Sequence, residues 1–150
     1  MSADYNFKIS IAKRGNSDLS SVGIIENFLK AGWRLYSEKN EITYTDVGDN
    51  DNFHFLTKPI GEIEYFNIVN EKEKNNEMIA FALFCYEELR YRIDVIITPE
   101  YEILISPDDA TKKMLIPTLN ILDVNWYLCK LLPPLTNKNM LVESFSFMFL

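Results

Sequence analysis

Five small oxygen-bearing side chains, Asp46, Asp49, Asn50, Asp51 and Asn52, lead to His54, the only histidine in 150 residues. Oxygen ligands at that density suit a hard cation such as calcium. Counted from Asp49, however, the third position is Asp51 while the fifth, sixth and twelfth are Phe53, His54 and Ile60. The turn glycine and the bidentate glutamate of an EF-hand are both missing, which leaves only a looser calcium loop as an alternative. A lone histidine cannot build a His-based zinc site. His54 as a general base with Asp49 or Asp51 is an enzyme reading, but Phe53 and Phe55 beside it favour a partly buried structural role. The glycines, at 15, 23, 32, 48 and 61, form no phosphate-cradling loop. No nucleophile elbow is present, and no carboxylate pair stands out for glycoside chemistry. The expectation is a protein that is not an enzyme, with no catalytic residues, cofactor or metal.

What remains is charge. Acids outnumber bases 22 to 15, for a net charge of −7. Residues 1–39 and 111–150 each balance at +2, whereas residues 40–110 carry −11. Asp46, Asp49 and Asp51, then Glu87 and Glu88, then Asp108 and Asp109 form three acidic turns within that middle stretch. One reading is a set of solvated turns whose Asp and Asn side chains bond their own backbone. The other is a recognition surface that offers carboxylates to Arg or Lys of a partner. A nucleic-acid partner is not expected, since phosphates need clustered bases.

The compartment is expected to be the cytosol. Met1–Tyr5 has no basic and apolar secretory pattern. The longest apolar run, Met78–Tyr86, has nine residues, against roughly 18–20 for a membrane span. Cys85 and Cys129 lie far apart in apolar stretches, and are expected to be buried, reduced thiols.

The elements that must position these turns follow from periodicity. Tyr5–Ile11 alternates as a strand. Asp18–Ala31 carries Leu19, Val22, Ile25, Phe28 and Leu29 at helical spacing, with Ser17 or Asp18 as N-cap and Gly32 as the left-handed stop. Trp33–Tyr36 and Glu41–Thr45, joined by Ser37–Asn40, read as a hairpin. Gly48–Asn52 is a loop. Pro59 opens a helix through Lys74, with Ile60, Ile63, Phe66 and Val69 inward, although Ile63 and Tyr65 also permit a strand.

Met78–Tyr86 reads as a strand covered on both faces. Leu89–Ile97 and Tyr101–Ile105 alternate after short turns, so the three form an antiparallel meander. Pro107-Asp108-Asp109 opens a short helix to about Ile116. Asp123 caps another, ended by Pro133-Pro134. Met140–Phe149 closes as a strand with Leu141, Phe145, Phe147 and Phe149 on one face. Together these give a single α+β domain, an antiparallel sheet with a few helices packed on it.

The order of features resembles a family. A short amphipathic helix leads to Gly32-Trp33, then Ile42-x-Tyr44-x-x-x-Gly48-Asp49-x-Asp51-x-Phe53, a meander, and Asp123-Val124-Asn125-Trp126-Tyr127-Leu128. Residues 18–55 and 78–132 are similar to small immunity proteins of bacterial contact-dependent growth inhibition and other polymorphic toxin systems. Phe55 departs from the pattern where the aspartate-rich segment is expected to have Trp. The resemblance implies an acidic cytosolic protein, monomeric or weakly dimeric, that inhibits the toxic C-terminal domain of a cognate effector, often a nuclease. It carries over no catalytic residue. From charge alone, the expected contacts are Asp46, Asp49, Asp51, Glu87, Glu88, Asp108 and Asp109. The alternative is a small adaptor or secretion chaperone that binds a peptide at a sheet edge.

Overall fold

The computed structural model describes residues 5–13, 19–87, 90–119, 121–137 and 140–148. Its first strand, β1 (Phe7–Lys13), buries Phe7, Ile9 and Ile11, the apolar half of the alternation. Helix α1 (Ser21–Lys30) follows, and Ser20 caps it by accepting from the Gly23 amide at 3.1 Å. The expected caps, Ser17 and Asp18, lie outside the described residues. Gly32, at φ +106°, ends the helix in the left-handed conformation that a residue without a Cβ adopts without strain.

Two short strands come next, β2 (Ile42–Tyr44) and β3 (Leu56–Lys58), then helix α2 (Glu62–Lys74). The hairpin expected before β2 shrinks to one bridge, Tyr36↔Ile42, while Arg34 bridges elsewhere and β2 takes β3 as its partner. Helix α2 also departs from expectation. Its buried stripe is Tyr65, Val69 and Lys72, and Ile63 is 80% exposed. Pro59 stays outside, with Gly61 as N-cap. A lysine on the inward stripe conceals the true face from an apolar count.

The meander forms as expected. Strands β4 (Ile79–Tyr86), β5 (Arg90–Ile97) and β6 (Glu102–Pro107) pair antiparallel, with Phe84 opposite Arg92 and Val95 opposite Ile105. β4 is buried on both faces through Leu83, but Phe84 and Tyr86 are only half-buried. The helix expected from Pro107 does not form. Asp108 donates its amide to Arg92 O, and strands β7 (Met114–Ile116) and β8 (Ile121–Leu122) make a small ribbon around a turn of 3-10 helix. Pro117 favours extended backbone at Ile116, which opposes a helix there.

Helix α3 (Val124–Leu135) starts at Asp123, whose carboxylate accepts from the Trp126 amide at 3.1 Å. It runs through Pro133 and Pro134 rather than stopping before them. Pro134 cannot donate to the carbonyl four residues back, Lys130 O. The Trp33 indole takes that acceptor instead, at 3.1 Å. Strand β9 (Met140–Phe147) is the last of the described elements, with a bulge against β1 between Ser10 and Ile11. Phe149 lies outside the described residues, and Phe145 is 38% exposed.

The order β3-β2-β4-β5-β6-β1-β9 makes a seven-stranded antiparallel sheet, an α+β domain as expected. Ile24, Ile25, Phe28, Tyr65, Val69, Tyr127 and Leu131 of the helices join Phe81, Leu83, Ile93, Val95, Ile103 and Ile105 in one core. The opposite face of the sheet carries Phe84, Tyr86, Arg92 and Asp94. Cys85 is buried as expected, whereas Cys129, on the outer side of α3, is exposed.

Candidate functional site

The first acidic turn is built around a buried lysine. Lys72, 1% exposed, sends Nζ to Asp46 O at 2.8 Å, Asp49 O at 2.6 Å and Glu77 Oε1 at 3.3 Å. Those three acceptors match the three donors of an ammonium. Glu77 also accepts from the Gly48 amide at 2.7 Å, and Asn50 Oδ1 accepts from the Met78 amide at 2.8 Å. The Asp49 carboxylate faces into the loop and accepts from the amides of Asn52, Phe53 and His54 at 3.2, 3.1 and 2.6 Å. This grip holds Phe53 at φ 51°, a conformation uncommon for a bulky residue. Asp49 therefore organises the loop, and its carboxylate is engaged internally.

Asp46 and Asp51 remain exposed on the loop, with Asp46 Oδ1 accepting from the Val47 amide at 2.8 Å. His54 is exposed, not partly buried as its aromatic neighbours suggest. Where a calcium loop would hold a metal, carbonyl oxygens here converge on an ammonium. Among the described residues no group of three or more His, Cys, Asp or Glu side chains is placed to hold a metal ion.

The clamp has a pH signature. Burial pushes the Glu77 carboxyl up, but the Gly48 amide, the Asn75 side chain and the charge and hydrogen bond of Lys72 outweigh it. The net shift is below the usual 4.5. A carboxyl lowered in the folded state contributes stability that is present above its unfolded value and lost as pH falls through the folded one. Urea midpoints should therefore drop from about pH 5 toward pH 3, and Glu77→Gln should flatten that part of the profile. Superimposable profiles for the variant and the parent would exclude Glu77 as a source of the acid sensitivity.

The other acidic turns sit at the opposite end of the sheet. Thr45 donates its amide to Ala80 O near the start of β4, whereas Glu87 follows the end of β4 and Asp108 binds Arg92 near the start of β5. Eight residues of β4 separate the two ends by roughly 25 Å. Glu87 pairs with Lys130, which together with its hydrogen bond lowers the carboxyl's pKa. Asp108 Oδ2 accepts from Thr111 Oγ1 at 3.4 Å, and Asp109 is almost fully exposed with Lys112 Nζ 3.4 Å away. Glu88 lies outside the described residues. The seven carboxylates thus divide, with Asp46, Asp49 and Asp51 at one end and Glu87, Asp108 and Asp109 at the other.

Two features beside Asp108 and Asp109 escaped the pattern of charges. The ribbon that follows them exposes Leu115 (62%), Ile116 (39%) and Leu119 (66%), an unusual concentration of large apolar side chains in water. Their signal was present in sequence as an apolar run broken by Pro117, but a helical reading of the segment obscured it. The second feature is a groove of about 720 Å³ between the turn at Ser37–Lys39 and the loop at Asp108–Lys112. Its floor holds Phe84 and Tyr86, two residues apart on one face of β4. Their rings are within 5° of parallel and 6.2 Å apart. Arg92 lies over Phe84 and Arg34 over Tyr86. Arg90 pairs with Glu38 at the rim, and Arg92 Nε donates to Asp94 at 3.0 Å.

Comparison with known protein families, with curated proteins and with solved structures finds no match to this chain. No helix among the described residues is long and apolar enough to cross a membrane.

Proposed function

We propose that the chain is an immunity protein of a bacterial polymorphic toxin system, acting in the cytoplasm on a basic toxin domain of the nuclease class. It is not an enzyme in this reading. It works by covering the surface through which the toxin holds its substrate. The observation that carries the reading is the juxtaposition of acidic and apolar groups in one segment. Asp108 and Asp109 lead directly into a ribbon with Leu115, Ile116 and Leu119 in solvent.

Protein interfaces pair a water-excluding apolar centre with a charged rim. Carboxylates opposite a basic surface raise the association rate, and desolvated apolar anchors slow dissociation. Glu87, at the same end of the sheet, extends that rim. A standard interface of about 800 Å² per partner covers one end of such a sheet better than two ends roughly 25 Å apart. Asp46, Asp49 and Asp51 then stand outside the contact.

The test is co-expression with the toxin domain encoded beside this chain, together with association kinetics on the purified pair. Asp108→Lys with Asp109→Lys should slow association about tenfold at low salt, and Leu115→Asp with Leu119→Asp should abolish rescue. Asp46→Lys with Asp51→Lys should rescue like the parent. Rescue and kinetics unchanged in the first two variants would remove this end of the sheet as the contact.

A second reading, an adaptor that takes a peptide strand, draws on β9, the eight-residue edge strand of the sheet with Phe145 partly exposed. It requires several clients instead of one toxin, which pull-down against unrelated secreted substrates would reveal.

A further inference from the structure

The two edges of the sheet are guarded unequally. β3, at one end of the order, is three residues long and ends in Lys58 with Pro59 after it, both exposed. Short length, lysine and proline are the devices that keep a strand edge from pairing with other chains. β9, at the other end, runs for eight residues without lysine or proline. Its one charge is Glu143, at the place where the register with β1 shifts. Glu143, Ser144, Phe145 and Ser146 are all exposed, although a strand under a helical layer buries every second residue.

Hydrogen-bond direction fixes which groups this edge offers. Ile11 donates its amide to Tyr101 O, just before β6, and Met148 donates to Asn6 O. Odd positions of β1 thus bond toward β6 and even ones toward β9, where they meet Ser144, Ser146 and Met148. The amide and carbonyl of Phe145, between those positions, point away from β1. Its side chain lies opposite Ile9, on the face that meets the helices. Tyr127 of α3 covers Phe7, with 5.7 Å between ring centres, but the helical layer stops short of Phe145 and leaves it 38% exposed.

We propose that β9 pairs antiparallel with β9 of a second copy of this chain, about a two-fold axis at Phe145, joining two sheets into one. The axis sets Phe145 against Phe145 of the copy, between the two helical layers, and Ser144 against Ser146. Glu143 meets Phe147 of the copy and not its own twin, so the strand is its own complement. Charge favours a second copy at this edge. The chain carries −7, with −11 in residues 40–110, yet β1 and β9 together hold Lys8 and Lys13 against Glu143 alone. Two acidic copies approach here with the least repulsion, whereas a basic toxin is drawn to the acidic turns. The pairing stands independently of the toxin-binding reading. A peptide strand from another protein is the competing occupant.

Sedimentation equilibrium of the full-length protein from about 1 μM to 1 mM tests the pairing. The parent should pass from monomer to dimer within that range. Ser144→Lys with Ser146→Lys sets lysine against lysine on the exposed open face, and should weaken the dimer about tenfold. Ser144→Lys with Ser146→Glu sets lysine against glutamate in each half, and should dimerise at least as tightly as the parent. Amide exchange on the parent needs no variant. The Phe145 amide should gain protection as concentration rises, and the amides of β3 should not. A parent that stays monomeric at about 1 mM overturns the proposal. So does a dimer indifferent to the paired lysines, or a lysine–glutamate variant as weak as the double lysine. Protection at Phe145 that ignores concentration and follows only an added β-strand peptide also overturns it.

Discussion

Lys72→Met lowers the unfolding free energy by about 3–5 kcal/mol, the range for removing one partner of a buried, hydrogen-bonded charge. Methionine fills a similar volume, so the loss reports the cation and not a cavity. It takes the ammonium donor from Asp46 O, which keeps only the Asp49 amide, and from Asp49 O, and it leaves Glu77 without the countercharge of Lys72. Lys72→Arg keeps the charge but brings a wider planar fork, and should recover little of the loss. Urea denaturation gives the magnitude. Hydrogen exchange gives the place, since the amides of Asn52, Phe53 and His54 should lose protection ahead of the sheet. A change within about 0.5 kcal/mol, the level of an ordinary surface substitution, would mean that the ammonium does not hold the loop.

Phe7→Ala should be of similar size for a different reason. Phe7 is fully buried and its ring lies 5.0 Å from Phe147, 5.7 Å from Tyr127 and 6.1 Å from Phe145. Truncating a buried phenylalanine costs about 3–5 kcal/mol. Among the described residues β1 is also the sole strand neighbour of β9, and joins it to β6 in the order of the sheet. The loss should therefore be uneven, with β9 exchanging its amides faster than β4 or β5 well below the global transition. Equal acceleration along every strand would show that β9 has no separate dependence on Phe7.

The strands were the most legible part of this chain. Phe7, Ile9 and Ile11, and Ile93, Val95 and Ile97, alternate because one face of the sheet meets helices and the other does not, and period two records that directly. Two helical segments hid more. On α2, burial follows Tyr65, Val69 and Lys72, and no hydropathy count places a lysine inside. After β6, the acids of Pro107-Asp108-Asp109 resemble a helix start, yet Pro117 and the pairing of β7 with β8 favour extended chain. Charge located the acidic turns, but whether they meet depends on strand direction. β4 carries the first turn and Glu87 to opposite ends, which no local pattern encodes. The groove was invisible for a related reason. Arg34, Phe84 and Arg92 come from three separate segments and become neighbours only through the pairings Arg34↔Phe84 and Phe84↔Arg92.

The indole of Trp33 occupies the acceptor that Pro134 leaves vacant in α3. An ordinary residue at 134 would restore an amide to that helix and compete with the indole for Lys130 O. Loss of the indole alone, with Pro134 retained, would strand the carbonyl. The two positions are thus epistatic. Lineages can reach the proline cheaply only after acquiring the tryptophan, and surrendering the tryptophan is easiest once the proline has gone.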